Sequence, residues 1–263
     1  MVAEEATSLR RGLAILFALE SGGSAEGHGL GVTRIAELVG REKSQVSRSL
    51  KVLAQYGLVD RDPQTLRYRL GWRLFTLAGR SGEAQLLAAA VPVLEQLGRE
   101  LDETVHLSVL QGAEVMTVLS ETPSRVVQAT GRIGQTVPAY CTSSGRALLF
   151  DHELPDLVEL LDQVEFDCSG PNTPADVEEL ARRIATARRG GFAIVDEEFE
   201  PGLVAAGAPV RNFRGSIVAA VNVSGPKFRF GDGLEAAGRA VKAAADRIAV
   251  ALGWLDVEGR KSA

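Results

Sequence analysis

The chain has 263 residues, 45% of them hydrophobic and 24% charged, with a formal net charge of −5. That length suits one large or two modest domains, and the composition excludes a disordered or fibrous chain. The acidic total disfavours nucleic-acid binding by the whole chain, but the charge is uneven: residues 1–80 carry 12 Lys+Arg against 8 Asp+Glu (+4), and residues 81–263 carry 17 against 26 (−9). A basic end on an acidic body is the asymmetry of a polyanion-binding segment joined to a different domain.

Residues 8–20 place Leu9, Leu13, Leu16 and Phe17 at helical spacing behind Ser8. The Gly-rich stretch 21–31 reads as a loop holding His28, which is expected to be solvated. Thr33 is expected to cap a short helix ending at Gly40, and Ser44 a second helix stopped by Gly57, with Val46, Leu50 and Leu53 as its inner face. Leu58-Val59 and Leu66 to Leu70 read as two short strands around Asp62-Pro63-Gln64-Thr65. Residues 72–100 look helical, with Pro92 a site for a kink or a break. From Thr104 the pattern becomes a hairpin turning near Gln111-Gly112, then short helices at 143–150 and 155–162. A helix follows from Thr173-Pro174-Ala175-Asp176 to Gly190-Gly191, with Thr173 as its cap. Apolar strands at 192–199, 205–210 and 215–225 and a last helix at 232–253 complete the chain. The fold class is α+β, an N-terminal winged helix-turn-helix followed by an α/β domain. The domain division is 1–71, a linker helix at 72–90, and 91–263.

Helix, short turn, helix and a two-strand ribbon is the order of a winged helix-turn-helix. With Val46, Leu50 and Leu53 inward, Gln45, Ser47, Arg48 and Lys51 occupy the open face of the second helix. Gln pairs with adenine and Arg with guanine in the major groove. Ser44 and Ser47 suit phosphate contacts, and Thr33, at the start of the preceding helix, is placed with them. Alternation in Leu66 to Leu70 sets Leu66, Tyr68 and Leu70 on one face and Arg67 and Arg69 on the other, as a basic wing requires. Glu37 and Glu42 are expected at the rim, facing away from phosphate.

In the acidic part, Thr142-Ser143-Ser144-Gly145 is a polar turn running into an apolar helix. It is either a seat for a carboxylate or an ordinary helix cap. Asn222 and Ser224 share one side of an apolar strand, opposite Val221 and Val223. Buried, they need partners, which a small molecule supplies; facing water, they need none. Leu107, Val109, Met116 and Val118 are candidate apolar walls or simple core. His106 is either a ligand contact or a satisfied sheet residue, and His152 starts an exposed turn. Asp196, Glu197, Glu198 and Glu200 read as a solvated acidic edge. Cys141 and Cys168 are the only cysteines, too few for a disulfide framework or a CxxC site, and are expected as free thiols. The apolar run 86–94 is too short to span a bilayer, and the N-terminus lacks an apolar signal core. A cytoplasmic protein with no membrane partner is expected. No metal ligand set, nucleophile elbow, P-loop or dinucleotide fingerprint stands out, so neither cofactor nor enzymatic activity is expected.

The stretches SLRRGLAIL (8–16), VTRIAELVG (32–40), KSQVSRSLKVLAQYGLVDRD (43–62), YRLGWRL (68–74), ETVHLSVL (103–110), TSSGRALL (142–149), GGFAIVDEEFEPGLVAAGAPV (190–210) and AAVNVSGP (219–226) together resemble the IclR-type transcriptional regulators. The resemblance spans nearly the whole chain in order. It implies a winged helix, a linker helix and a GAF-like effector domain, in a homodimer or homotetramer bound to double-stranded operator DNA. It also implies a small organic acid effector held by Ser143, Ser144, Asn222 and Ser224, with Val195 and Ala205 as flanking wall positions. The chain departs from the family pattern in having Asn222 where Ser is common, Val195 where an acid occurs, and Arg146 where Lys is usual. These departures imply a different ligand. The alternatives are a ligand-independent DNA-binding oligomer and an enzyme tethered by a DNA-binding head.

Overall fold

The computed structural model describes residues 2–23, 29–78, 83–122 and 133–254. His28 lies with residues 24–27 outside the described residues, and Ser21, Gly22 and Gly23, read as loop, belong to the first helix. The chain divides into two compact units, Met1–Ala84 and Gln85–Ala263.

The first unit contains α1 (Val2–Gly23), α2 (Val32–Leu38), α3 (Lys43–Gln55), β1 (Val59–Arg61), β2 (Tyr68–Leu70) and α4 (Trp72–Ala78). Ile15, Leu19, Ile35, Val46, Leu50 and Tyr68 meet in its core. The helical period of α1 is as the sequence indicates, but its buried face is Ile15 and Leu19. Leu9, Leu13 and Phe17, spaced four apart, are exposed. Neither Thr33 nor Ser44 caps a helix. The helices begin earlier, behind Gly31 and Glu42, neither of which makes a side-chain capping bond. Gly57, at φ 70°, ends the turn after α3 in a left-handed conformation that costs glycine little. β1 and β2 pair antiparallel, Asp60 opposite Arg69. Asp62 Oδ1 accepts from the amides of Gln64 and Thr65 at 2.9 and 2.7 Å and so closes the ribbon. These bonds, Thr65's foremost, hold its carboxyl below the usual carboxylate range. Leu66 sits at φ 58° and is exposed. It belongs to the turn, and the strand alternation begins after it.

The second unit opens with α5 (Glu83–Leu101), which runs through Pro92 uninterrupted and enters the core through Leu86, Ala90, Leu94 and Leu97. Then come β3 (Thr104–Gln111), β4 (Glu114–Glu121), β5 (Thr136–Pro138), α6 (Ser143–Leu148), α7 (Leu154–Leu160), α8 (Val177–Gly190), β6 (Ala193–Asp196), β7 (Leu203–Arg211), β8 (Ile217–Pro226), α9 (Lys227–Phe230) and α10 (Leu234–Ala251). The six strands form one antiparallel sheet in the order β5-β4-β3-β8-β7-β6. Both faces are covered. Leu107, Val204, Ala206, Val221 and Val223 pack with α5 and α10, whereas Val115, Ala193 and Ala220 pack with α6, α7 and α8. Asp176, not Thr173, caps α8, accepting from the Glu179 amide at 2.8 Å. The Thr173 hydroxyl instead lies 2.6 Å from the Glu198 carbonyl oxygen, to which it donates.

Candidate functional site

On α3, Val46 and Leu50 are fully buried, and Ser44, Ser47, Arg48 and Lys51 are exposed. Gln45 is half-buried at the shoulder of that face, and Thr33 is exposed on α2. The wing is less open than alternation suggests. Arg67 is half-buried with Nη1 3.4 Å from the Gly29 carbonyl oxygen. Arg69 is exposed, 3.9 Å from Asp60 Oδ2. Glu37 pairs with Arg34 at 3.1 Å, which neutralises an acid beside the basic face. Exposed pairs of this kind add little stability; here they set local charge.

In the second unit, Ser143, Ser144, Val195, Ala205, Asn222 and Ser224 line a single cavity of 80 Å³. On the scale where one water needs roughly 10–15 Å³, that holds on the order of six water-sized groups. The sheet register explains the convergence. His106, Asn222 and Gly207 are aligned across β3, β8 and β7, and Ser224, Ala205 and Val195 across β8, β7 and β6. Above them lies the turn into α6, whose cap Thr142 accepts from the Gly145 amide at 3.2 Å. A Cβ on Gly207 would stand 2.6 Å from the Ser143 carbonyl oxygen. Glycine there is what lets the Ser143-Ser144 backbone lie directly on the sheet beside Asn222. Ser143 Oγ and Asn222 Oδ1 are buried and have no hydrogen-bond partner among the described residues. Two such groups at one cavity normally signal a bound molecule or ordered water.

The sequence did not single out Ser108, Thr117, Gln135 and Phe199, which also line the cavity, and it left His106 open. Ser108 opposes Thr117 across β3 and β4. The apolar candidates fall elsewhere. Leu107, Val109 and Val118 pack in the layer with α5 and α10, and Met116 does not line the cavity.

The acidic edge is also corrected. Asp196 and Glu197 pair with Lys227, at 2.8 and 2.5 Å, but Glu198 is buried and bridges Arg146 and Arg183, the latter at 3.0 Å. Arg146 Nη1 donates to the Ile194 carbonyl oxygen at 2.8 Å. The bridge ties the residue after Gly145 to the segment bearing Phe199, so two walls of the cavity are clamped together. Removing one member of a buried pair strands the other charge, at about 3–5 kcal/mol. No group of His, Cys, Asp and Glu among the described residues forms a metal site.

The cysteines depart from expectation. Cys141 and Cys168 are bonded to each other across 27 residues of sequence. The cause is Tyr140. Its buried ring stacks on Phe166 with centroids 4.3 Å apart, and its hydroxyl oxygen accepts from the Asp167 and Cys168 amides at 2.9 and 3.0 Å. The coil after α7 is thereby drawn onto the residue beside Cys141. Burial pushes the Tyr140 phenol up from its ordinary value, so it remains neutral.

Comparison with known proteins matches the IclR helix-turn-helix domain to residues 8–63 and the C-terminal domain of bacterial transcriptional regulator IclR to residues 81–250. The chain is 30% identical to the Pca regulon regulatory protein of Pseudomonas putida over 83% of its own length and 74% of that protein's. It is 30% identical to the transcriptional repressor AllR of Klebsiella pneumoniae over 94% and 90%. The IclR transcriptional regulator of Alicyclobacillus acidocaldarius superposes with a TM-score of 0.73 at 26% identity, covering 94% of this chain and 99% of that one. An IclR homologue of Microbacterium hydrocarbonoxydans, crystallised with 4-hydroxybenzoate, shares the fold with a TM-score of 0.77 at 24% identity, over 94% and 99%. With both domain models matched in order over most of its length, the chain belongs to the IclR family of transcriptional regulators.

Proposed function

We propose that this regulator binds operator DNA through α3 and the wing, and that a compact organic acid in the second unit's cavity changes that binding. The observation that carries the reading is the cavity itself, where buried Ser143 Oγ and Asn222 Oδ1 lack partners. A carboxylate accepts from hydroxyl donors such as Ser143 and Ser144, and charged acceptors strengthen such bonds; Asn222 Oδ1, itself an acceptor, takes a donor such as a hydroxyl on the acid. Among the described residues the lining holds no Lys or Arg, and its side-chain donors are hydroxyl, amide and imidazole groups. The small volume favours few heavy atoms over a drug-sized ligand.

A second copy of the chain completes the functional unit. Leu9, Leu13 and Phe17 form an exposed apolar stripe on α1 beside the proposed reading head, and two heads reading two half-sites is the usual use of a helix-turn-helix. Sedimentation of the full chain checks this; a monomer at micromolar concentration contradicts it.

Thermal shift against small carboxylic acids, 4-hydroxybenzoate included, tests the effector reading. An acid at about 100 times its Kd adds about 2.7 kcal/mol, or roughly 5–10 °C in Tm for a domain of this size. Asn222→Ala should remove most of that shift. A set in which no acid moves Tm, or a shift that survives Asn222→Ala intact, contradicts the proposal.

A further inference from the structure

The only two cysteines of the chain meet beside the cavity, which Cys141 lines. Cys141 is fully buried and lines it, immediately before Thr142, the cap of α6. Cys168 is half-buried in the coil between α7 and α8. The two Cα atoms are 6.9 Å apart, at the upper limit of a disulfide's reach. Contacts that do not involve sulfur hold the coil in place. The Tyr140 hydroxyl accepts from the amides of residues 167 and 168, and the Thr173 hydroxyl at the end of the coil donates to the Glu198 carbonyl oxygen at 2.6 Å. The segment therefore stays docked when the bond is broken, and the two thiols remain neighbours. A bond whose ends are positioned independently reforms readily, unlike one that alone holds two segments together.

We propose that Cys141 and Cys168 are a reversible redox-modification site, oxidised by a hydroperoxide, whose disulfide stiffens the wall of the ligand cavity. The half-buried Cys168, as thiolate, attacks the peroxide. An S–O bond forms, the O–O bond breaks, and the departing oxygen leaves as alcohol or water after taking a proton. Cys141 then attacks the Cys168 sulfenic sulfur, forming S–S and releasing the hydroxyl as water. Two thiols and one hydroperoxide give one disulfide, one alcohol and one water. A dithiol reductant reverses the reaction by two exchange steps. The adjacent Cys141 intercepts the sulfenic acid before a second oxidation. The effect on structure follows from position. Cys141 precedes Thr142, whose hydroxyl lies 3.0 Å from the Pro138 carbonyl oxygen and caps the Ser143-Ser144 turn. Tying the Cys141 side chain to the docked coil removes its rotamer freedom at the edge of that turn. The modification stands without any ligand; its consequence for effector affinity rests on the function proposed above.

The test uses the full chain, reduced, desalted and exposed to stoichiometric hydrogen peroxide, then alkylated and mapped by mass spectrometry. Both free thiols should disappear together in the folded protein as an intrachain Cys141–Cys168 peptide, and dithiothreitol should restore them. Amide exchange over residues 139–149 should slow about fivefold or more on oxidation, the lower end of ordinary coupling between sites, and Cys168→Ser should abolish the slowing. Over-oxidation of Cys168 with Cys141 still a thiol, disulfides only between chains, or exchange unchanged by oxidation would each overturn the proposal. No effector enters the experiment, so its failure is separate from failure of the effector reading.

Discussion

At a DNA surface, a side chain that meets a base edge and one that meets a phosphate have different signatures. Arg48 is exposed on the outer face of α3 above the Val46 and Leu50 anchor. If it reads guanine, Arg48→Ala costs about 1–3 kcal/mol in specific binding and far less in non-specific binding. Lys51→Ala, acting on phosphate, should weaken both alike and reduce the salt slope by about one. Anisotropy titrations on specific and random duplexes measure both, and an equal loss on the two duplexes removes Arg48 from base reading. Asn222 and Ser224 were legible because two polar side chains on one side of an apolar strand need an explanation. Leu107 and Val109, read as cavity wall or simple core, are core, because the sheet is covered on both faces. Alternation separates two faces, but it does not say which one borders a cavity. Ser108 and Thr117, small and common in strands, carried no signal until their cross-strand register was known.

Among the elements, α6 and β7 approach one another backbone to backbone. Gly207 has room for no Cβ, which would lie 2.6 Å from Ser143 O and 3.0 Å from Ser144 N, both backbone atoms. Gly207→Ala must push the turn off the sheet, at about 1–3 kcal/mol for an overpacked site, a fall of roughly 2–12 °C in Tm. Calorimetry of the full chain checks this, and an unchanged Tm contradicts the close approach. Helix existence was largely readable from period and turn residues, while helix starts were not. Thr33, Ser44 and Thr173 look like caps in sequence, but Gly31, Glu42 and Asp176 stand at those positions. Thr173 was claimed by tertiary structure, its hydroxyl drawn to the Glu198 carbonyl. The buried Arg146–Glu198–Arg183 bridge was hidden for a related reason. Its members come from three separate segments, and in sequence Glu198 is only one of a run of acids. On α1, Leu9, Leu13 and Phe17 have the helical spacing read from the sequence and lie exposed.

For the molecule as a whole, charge and chemistry divide along the chain. The positive excess lies within residues 1–80 and the negative excess beyond them, matching a DNA-binding domain and a separate domain with the cavity. No described helix is long and apolar enough to cross a membrane. A ligand in one unit alters DNA binding by the other only if its affinity differs between the DNA-competent and DNA-incompetent arrangements, and the coupling is reciprocal. On the function proposed above, the acid that raises Tm also shifts DNA affinity, and DNA then shifts acid affinity by the same factor. The most direct measurement is anisotropy of the full chain on a duplex selected from a random pool, with and without that acid at saturation. The account predicts a change in Kd of about fivefold or more for the natural sequence and none for Asn222→Ala. A DNA affinity unmoved by an acid that demonstrably binds would contradict it.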